Sequence, residues 1–142
     1  ERLWAAWRVA EKEQQDMTEK FVGSVIGGGA GSYVADIGAA QLGLTVAAIE
    51  GWKSDRGGAA RGGACTNVGC IPSKALLRSS GRCGRAGKRF AEHGIEVKGV
   101  TLKLDTLIGR KNKVAKQNND GILYLFKKNK VTFFHGKGAS TG

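Results

Sequence analysis

A chain of 142 residues with 41% hydrophobic residues can bury a core covering roughly two-thirds of the surface its unfolded form exposes, so one compact domain is expected. Its 23 glycines exceed the average share of ~7%, but they follow no G-X-Y period and alternate with apolar runs, which excludes a collagen-like or disordered chain. The formal charge of +11 would suit a nucleic acid, yet Arg56, Arg61, Arg78, Arg82, Arg85, Lys88, Arg89, Arg110, Lys111, Lys113 and Lys116 are scattered without interleaved aromatics, which favours a solvated basic face.

Residues 1–16, with Trp4 and Trp7, carry a mixed-charge helical pattern and stand before Met17, the only methionine. An apolar run, "FVGSVI" at 21–26, predicts a strand that enters the glycine-rich "GGGAGS". "YVADIGAAQLG" predicts a helix ending at Gly43, and "LTVAAIE" at 44–50 a second strand. A Gly- and Arg-rich loop over 51–63 leads to the cysteines. A helix is expected to start near Pro72, whose fixed φ suits a first helical position, and to run into the 80s. "HGIEVKGVTLKL" reads as an extended or strand-like segment. From Asp105, a candidate cap, to about Lys116 the apolar spacing is helical, a further helix runs through "GILYLFKKNK", and "VTFFHGKG" closes as a strand and a glycine turn. No apolar run nears the ~20 residues that cross a bilayer, and the N-terminus lacks the features of a secretory signal, so a soluble intracellular protein is expected.

The strand, helix, strand unit with a glycine-rich first turn is of the α/β, Rossmann type. Gly27 and Gly29, with Gly31 and Ser32, nearly form G-x-G-x-x-G: one glycine allows the tight turn, and the next lets backbone N–H groups approach a pyrophosphate. Ser32 stands at the third glycine position. Glu50, 23 residues after Gly27 at the end of the second strand, is placed to hold the hydroxyls of an adenosine ribose. The alternative is a plain glycine loop beside a surface glutamate. Gly23 and Ser24 interrupt the first strand, and Asp36 and Gly38 disturb a helix expected to be largely buried.

Cys65 and Cys70 stand five positions apart, with Cys83 as a bystander. The pair can be a structural disulfide, half of a zinc site or a redox couple. Zinc lacks a second ligand pair, since Cys83, His93 and His135 are isolated, and a structural bridge is uncommon in a reducing compartment. The redox couple is the leading reading. Gly69 allows the chain to fold back, a helix starting near Pro72 would favour a Cys70 thiolate, and Lys74, one turn on, adds a positive charge. A two-electron dithiol couple beside a dinucleotide turn calls for a flavin.

"AAQLGLTVAAIE", "GGACTNVGCIPSKALL", "EHGIEVKGVTLKLD", "KQNNDGILYLFKKNKV" and "FFHGKG" together closely resemble the N-terminal part of the dihydrolipoamide dehydrogenases. These are flavin-dependent disulfide oxidoreductases of the 2-oxo acid dehydrogenase complexes, in the wider pyridine nucleotide-disulfide oxidoreductase family with the glutathione and mercuric reductases. The resemblance covers about Met17 to Gly142 and implies an incomplete, three-layer, Rossmann-like FAD-binding domain. It implies bound FAD, with Gly27, Gly29 and Gly31 at the pyrophosphate, Glu50 on the ribose, Gly63 in the cofactor site, Lys74 near the flavin ring and Gly138 beside the adenine. Cys65 would exchange with dihydrolipoamide, and Cys70 would face the flavin. For the full-length enzyme it implies NAD as co-substrate, the lipoyl domain as partner, a homodimer, and a cytoplasmic or mitochondrial-matrix location. The NAD-binding, central and interface domains are not in this sequence, so the chain alone is expected not to turn over. Ser32, Ala30 and Ala64 depart from the family's glycine, proline and threonine, and Asp36 and Gly38 from a small and a basic residue. The competing readings are another flavin disulfide reductase, of glutathione or mercuric type, and a non-enzymatic basic binding module.

Overall fold

The computed structural model describes residues 19–54 and 57–140, so the helical pattern read at 1–16 lies outside the described residues. Strand β1 (Gly23–Ile26) leads through the glycine turn into helix α1 (Ala30–Gln41) and returns as β2 (Val46–Glu50). Then follow a short helix α2 (Gly63–Asn67), helix α3 (Cys70–Lys88), a single 3-10 turn at Ala91–His93, the long helix α4 (Leu104–Lys128) and strand β3 (Thr132–His135). The three strands form one parallel sheet in the order β1-β2-β3, with Gly23 opposite Val46 and Ala48 opposite Phe133. Parallel neighbours need a crossover: α1 supplies the first, and α2 to α4 the second.

Paired residues of a parallel sheet share a face, and faces alternate along each strand. Val46, Ala48 and Phe133 lie on the face that meets α1 and α4. Buried Val46, Ala48, Ile122, Phe126 and Val131 form the core there, packed about by Tyr33, Ile37, Ala39 and Ala40. The opposite face carries Ile26 and Phe134, 55% and 39% exposed. Among the described residues, helices therefore cover one side of the sheet, two of the three layers of the α/β arrangement.

Helix α1 ends as its sequence indicates, with Gly43 at φ +90 donating its N–H to the Ala40 carbonyl. Gly23 and Ser24 do not interrupt β1; pairing with Val46 and Ala47 carries them. Several expectations need correction. Helix α3 opens at Cys70, and Pro72 is its third residue rather than its first. The first four N–H groups of a helix lack intrahelical partners, so a missing donor is tolerated anywhere in that turn. The stretch over 93–104 forms no strand. Gly94 and Gly99 take left-handed φ of +71 and +87, and Ile95, Val97, Val100 and Leu102 remain exposed with no strand beside them among the described residues. The two helices expected beyond Asp105 are one, running unbroken through Gly109 and Gly121. Lys103, not Asp105, occupies the cap position; Asp105 lies in the first turn, where its charge faces the positive end of the helix.

Candidate functional site

The site is built at the carboxyl ends of β1 and β2, where open parallel sheets bind ligands. After Ile26 the chain turns at Gly27, whose φ of +113 favours glycine and whose N–H donates to the Ile49 carbonyl at 2.8 Å. Gly29 caps α1 without a side-chain hydrogen bond, and the first turn of this 12-residue helix holds no acidic residue. A Cβ added at Gly29 or Gly31 would meet no atom within 4 Å, so the helix N-terminus opens onto free space. Glu50, at the end of β2, lies beside that turn as the spacing predicts. Its Oε2 accepts the Gly28 N–H at 2.6 Å and its Oε1 the Trp52 N–H at 2.7 Å. Segment 136–138 crosses the same strand ends: the Gly136 N–H donates to the Glu50 carbonyl, and a Cβ on Gly138 would lie 3.0 Å from the Ile26 side chain.

The cysteines reach this place through two left-handed glycines. Gly62 and Gly63 adopt φ of +86 and +61, and a Cβ on Gly63 would lie 2.8 Å from the Gly29 Cα. The start of α2 thus rests directly on the glycine turn, with Cys65 two residues further on. Gly63, expected in the cofactor site, is buried in this backbone contact. From Cys65 the chain reverses within four residues: the Val68 and Gly69 N–H groups both donate to the Ala64 carbonyl, at 3.0 and 2.6 Å, and Cys70 opens α3.

Cys65 is half-buried, Cys70 is exposed, and both are thiols. The neighbouring Cys70 thiol raises the Cys65 pKa above the ordinary thiol range, and desolvation adds to the rise. The Cys70 backbone N–H and the positive charge of Lys74 act in the opposite sense on Cys65. Two neighbouring thiols, with a cation one turn away, can exchange with an external disulfide or dithiol. Among the described residues no group of three His, Cys, Asp or Glu side chains is gathered to hold a metal ion.

The pattern of the pyridine nucleotide-disulphide oxidoreductases matches residues 24–142. The chain belongs to this family. Relatives of this oxidoreductase chain include the mitochondrial dihydrolipoyl dehydrogenase of Pisum sativum, 51% identical over 80% of the chain and 22% of the relative. The dihydrolipoyl dehydrogenase of Cupriavidus necator is 44% identical over 89% of the chain and 27% of the relative, and the leghemoglobin reductase of Glycine max 50% identical over 80% and 21%. The chain therefore spans about a quarter of the length of these relatives. No helix among the described residues is long and apolar enough to cross a membrane.

Two residues of this candidate site went unnoticed in the sequence. Asn67 donates its amide to the Arg61 and Gly63 carbonyls, both at 2.9 Å, and accepts from the Asn119 amide of α4 at 2.8 Å. Together they fix the helix that carries Cys65. Asn67 lies inside "CTNVGC", but its partner is 52 residues away, a separation that local spacing does not report.

Proposed function

We propose that residues 17–142 form the N-terminal part of the FAD-binding domain of a dihydrolipoyl dehydrogenase, with Cys65 and Cys70 as its redox couple. The observation that carries this is the pair of free thiols, Cys65 and Cys70, on a turn that Gly63 sets directly against the glycine turn. In this reading the full-length enzyme oxidises dihydrolipoamide, presented on a lipoyl domain, to lipoamide with NAD+ as final acceptor, and works as a homodimer.

The residues present fit FAD. The uncapped α1 terminus at Gly29 and Gly31 is open to a pyrophosphate, Glu50 stands beside it for a ribose, and Gly138 crosses the strand ends where an adenine would lie. FAD bound there supplies a two-electron acceptor beside the thiols. Cys65 exchanges with the substrate sulfur, Cys70 is its partner in the disulfide, and Lys74 favours the Cys65 thiolate.

Mixing the purified chain with FAD and recording absorbance from 300 to 600 nm tests the cradle. Flavin bands that stay with the protein through gel filtration, together with a raised melting temperature, are expected. A colourless protein that gains no stability from FAD would contradict cofactor binding.

A further inference from the structure

One cavity of the molecule takes no part in the thiol chemistry. It has a volume of about 490 Å³, within the range of small-molecule sites, and opens between the loop that follows Glu50, the end of α2 and the middle of α4. The two legs of that loop hold each other in place. The Ala60 N–H donates to the Trp52 carbonyl at 3.0 Å, the Ser54 N–H to the Gly58 carbonyl at 2.7 Å, and Lys53 pairs antiparallel with Ala59. Neither thiol lines the cavity, and neither do Gly29, Gly31, Glu50 or Gly138. It is therefore separate from the cradle assigned to FAD.

Arg61 is the lining residue that lacks a counterpart. Its guanidinium lies over the Phe133 ring, 4.5 Å from the centroid, and its Nε is shut off from water with no hydrogen-bond partner among the described residues. The acid whose charge it feels, Asp120, is engaged with Lys116 in the one ion pair among those residues. Burial lowers the Arg61 pKa, and the Asp120 charge offsets this only in part. A guanidinium is rarely withdrawn from water without an anion or several acceptors around it. A second polar atom on the same cavity is also stranded: Asn119 Oδ1 is buried without a partner, although its amide nitrogen serves Asn67 and the Ala115 carbonyl.

The charged lining residues are Lys53, Arg61, Lys116 and Asp120. Lys116 and Asp120 neutralise each other, so Lys53 and Arg61 leave two positive charges unanswered. We infer that the cavity binds a phosphate monoester that carries a flat ring, with the phosphate on Arg61 and the ring on the wall made by Trp52, Val68 and Ala115. A dianion matches the two charges, and the planar fork of an arginine suits the oxygens of an oxoanion better than a single point charge does. Phe133 holds that fork on one face and leaves its edge to the ligand. A bare ion would leave the apolar wall and most of the volume unfilled, and an uncharged ring would leave Arg61 without a partner. The inference does not depend on the redox reading of the thiols.

The test uses the full chain carrying Trp4→Phe and Trp7→Phe, which leaves Trp52 as its only tryptophan, so that fluorescence reports from the cavity wall. Phenyl phosphate is expected to quench Trp52 saturably, with inorganic phosphate and benzyl alcohol each binding at least about tenfold more weakly. Arg61→Leu, whose side chain still packs on Phe133, is expected to weaken phenyl phosphate by at least about tenfold while the melting temperature holds. Arg61→Lys, which keeps the charge but not the fork, is expected to weaken it by about threefold or more, so the test stands even where Arg61→Leu impairs folding. Lys127→Ala, which removes a charge elsewhere, should leave the affinity unchanged. Calorimetry in excess FAD should give the same binding as without it. No saturable quenching, undiminished affinity in both Arg61 variants, or an equal loss in Lys127→Ala would overturn the assignment. Displacement by FAD would also overturn it, by returning the anion to the glycine-turn cradle. Equal affinity for inorganic phosphate would mean an adventitious ion only.

Discussion

Both carboxylate oxygens of Asp36 are buried without a hydrogen-bond partner among the described residues, and desolvation raises its pKa from 3.8 to about 6. The folded state therefore holds this proton more tightly than the unfolded chain. The associated stability is fully present below pH 3.8 and is lost as pH rises through about 6. A shift of about two units corresponds to about 3 kcal/mol. Asp36→Ala is expected to stabilise the chain by about 2–3 kcal/mol at pH 7 and by little at pH 4, read from urea unfolding at the two pH values. An equal effect at both would show that the carboxylate is not the cause. Lys74 acts in the other direction, since its charge favours the Cys65 thiolate. Lys74→Gln should move the pH profile of iodoacetamide alkylation of Cys65 upward and slow the reaction at pH 7 by about twofold to fivefold, a modest effect for an exposed charge. An unchanged profile would remove Lys74 from the site.

Among the elements, α4 is where local signals mislead most. Gly109 and Gly121 resemble breaks, yet the helix continues because Ile122 and Phe126 anchor its second half on the sheet. Neither glycine has a packing reason to lack a side chain, since an added Cβ meets nothing within 4 Å. Gly109→Ala and Gly121→Ala should each stabilise by about 0.5–1 kcal/mol in thermal or urea unfolding, and a loss of stability would reveal a contact that α4 makes beyond the described residues. The strand expected over 93–104 fails for the opposite reason. Its apolar alternation is present, but left-handed glycines interrupt it and, among the described residues, no strand edge lies beside it to supply hydrogen bonds. Local pattern located β1, α1, β2 and β3, whose partners follow from one crossover rule. It could not foresee α2, a five-residue helix formed because Gly62 and Gly63 can turn left-handed and Asn67 reaches α4.

At the scale of the molecule, the site was legible where its chemistry is written in residue type and spacing. The Gly27 turn, Glu50 and the cysteine pair come together at one sheet edge, as their order along the chain indicated. What spacing left out is how they are joined: the backbone contact of Gly63 with Gly29, and the reversal at Val68 and Gly69, whose N–H groups both donate to the Ala64 carbonyl. The chain spans about a quarter of its dihydrolipoyl dehydrogenase relatives, and under the proposed function it should give no lipoamide-dependent NADH. Turnover by the purified chain alone would contradict the expectation that it does not turn over by itself. The most direct measurement is an anaerobic dithionite titration of the oxidised, FAD-loaded chain with free thiols counted at each step. Electron uptake twice the flavin's own two-electron requirement is expected, with the thiols of Cys65 and Cys70 appearing before the flavin bleaches fully, and Cys65→Ser reducing the uptake to that of the flavin alone. Uptake by the flavin only, with no change in thiol count, would contradict a redox couple at Cys65 and Cys70.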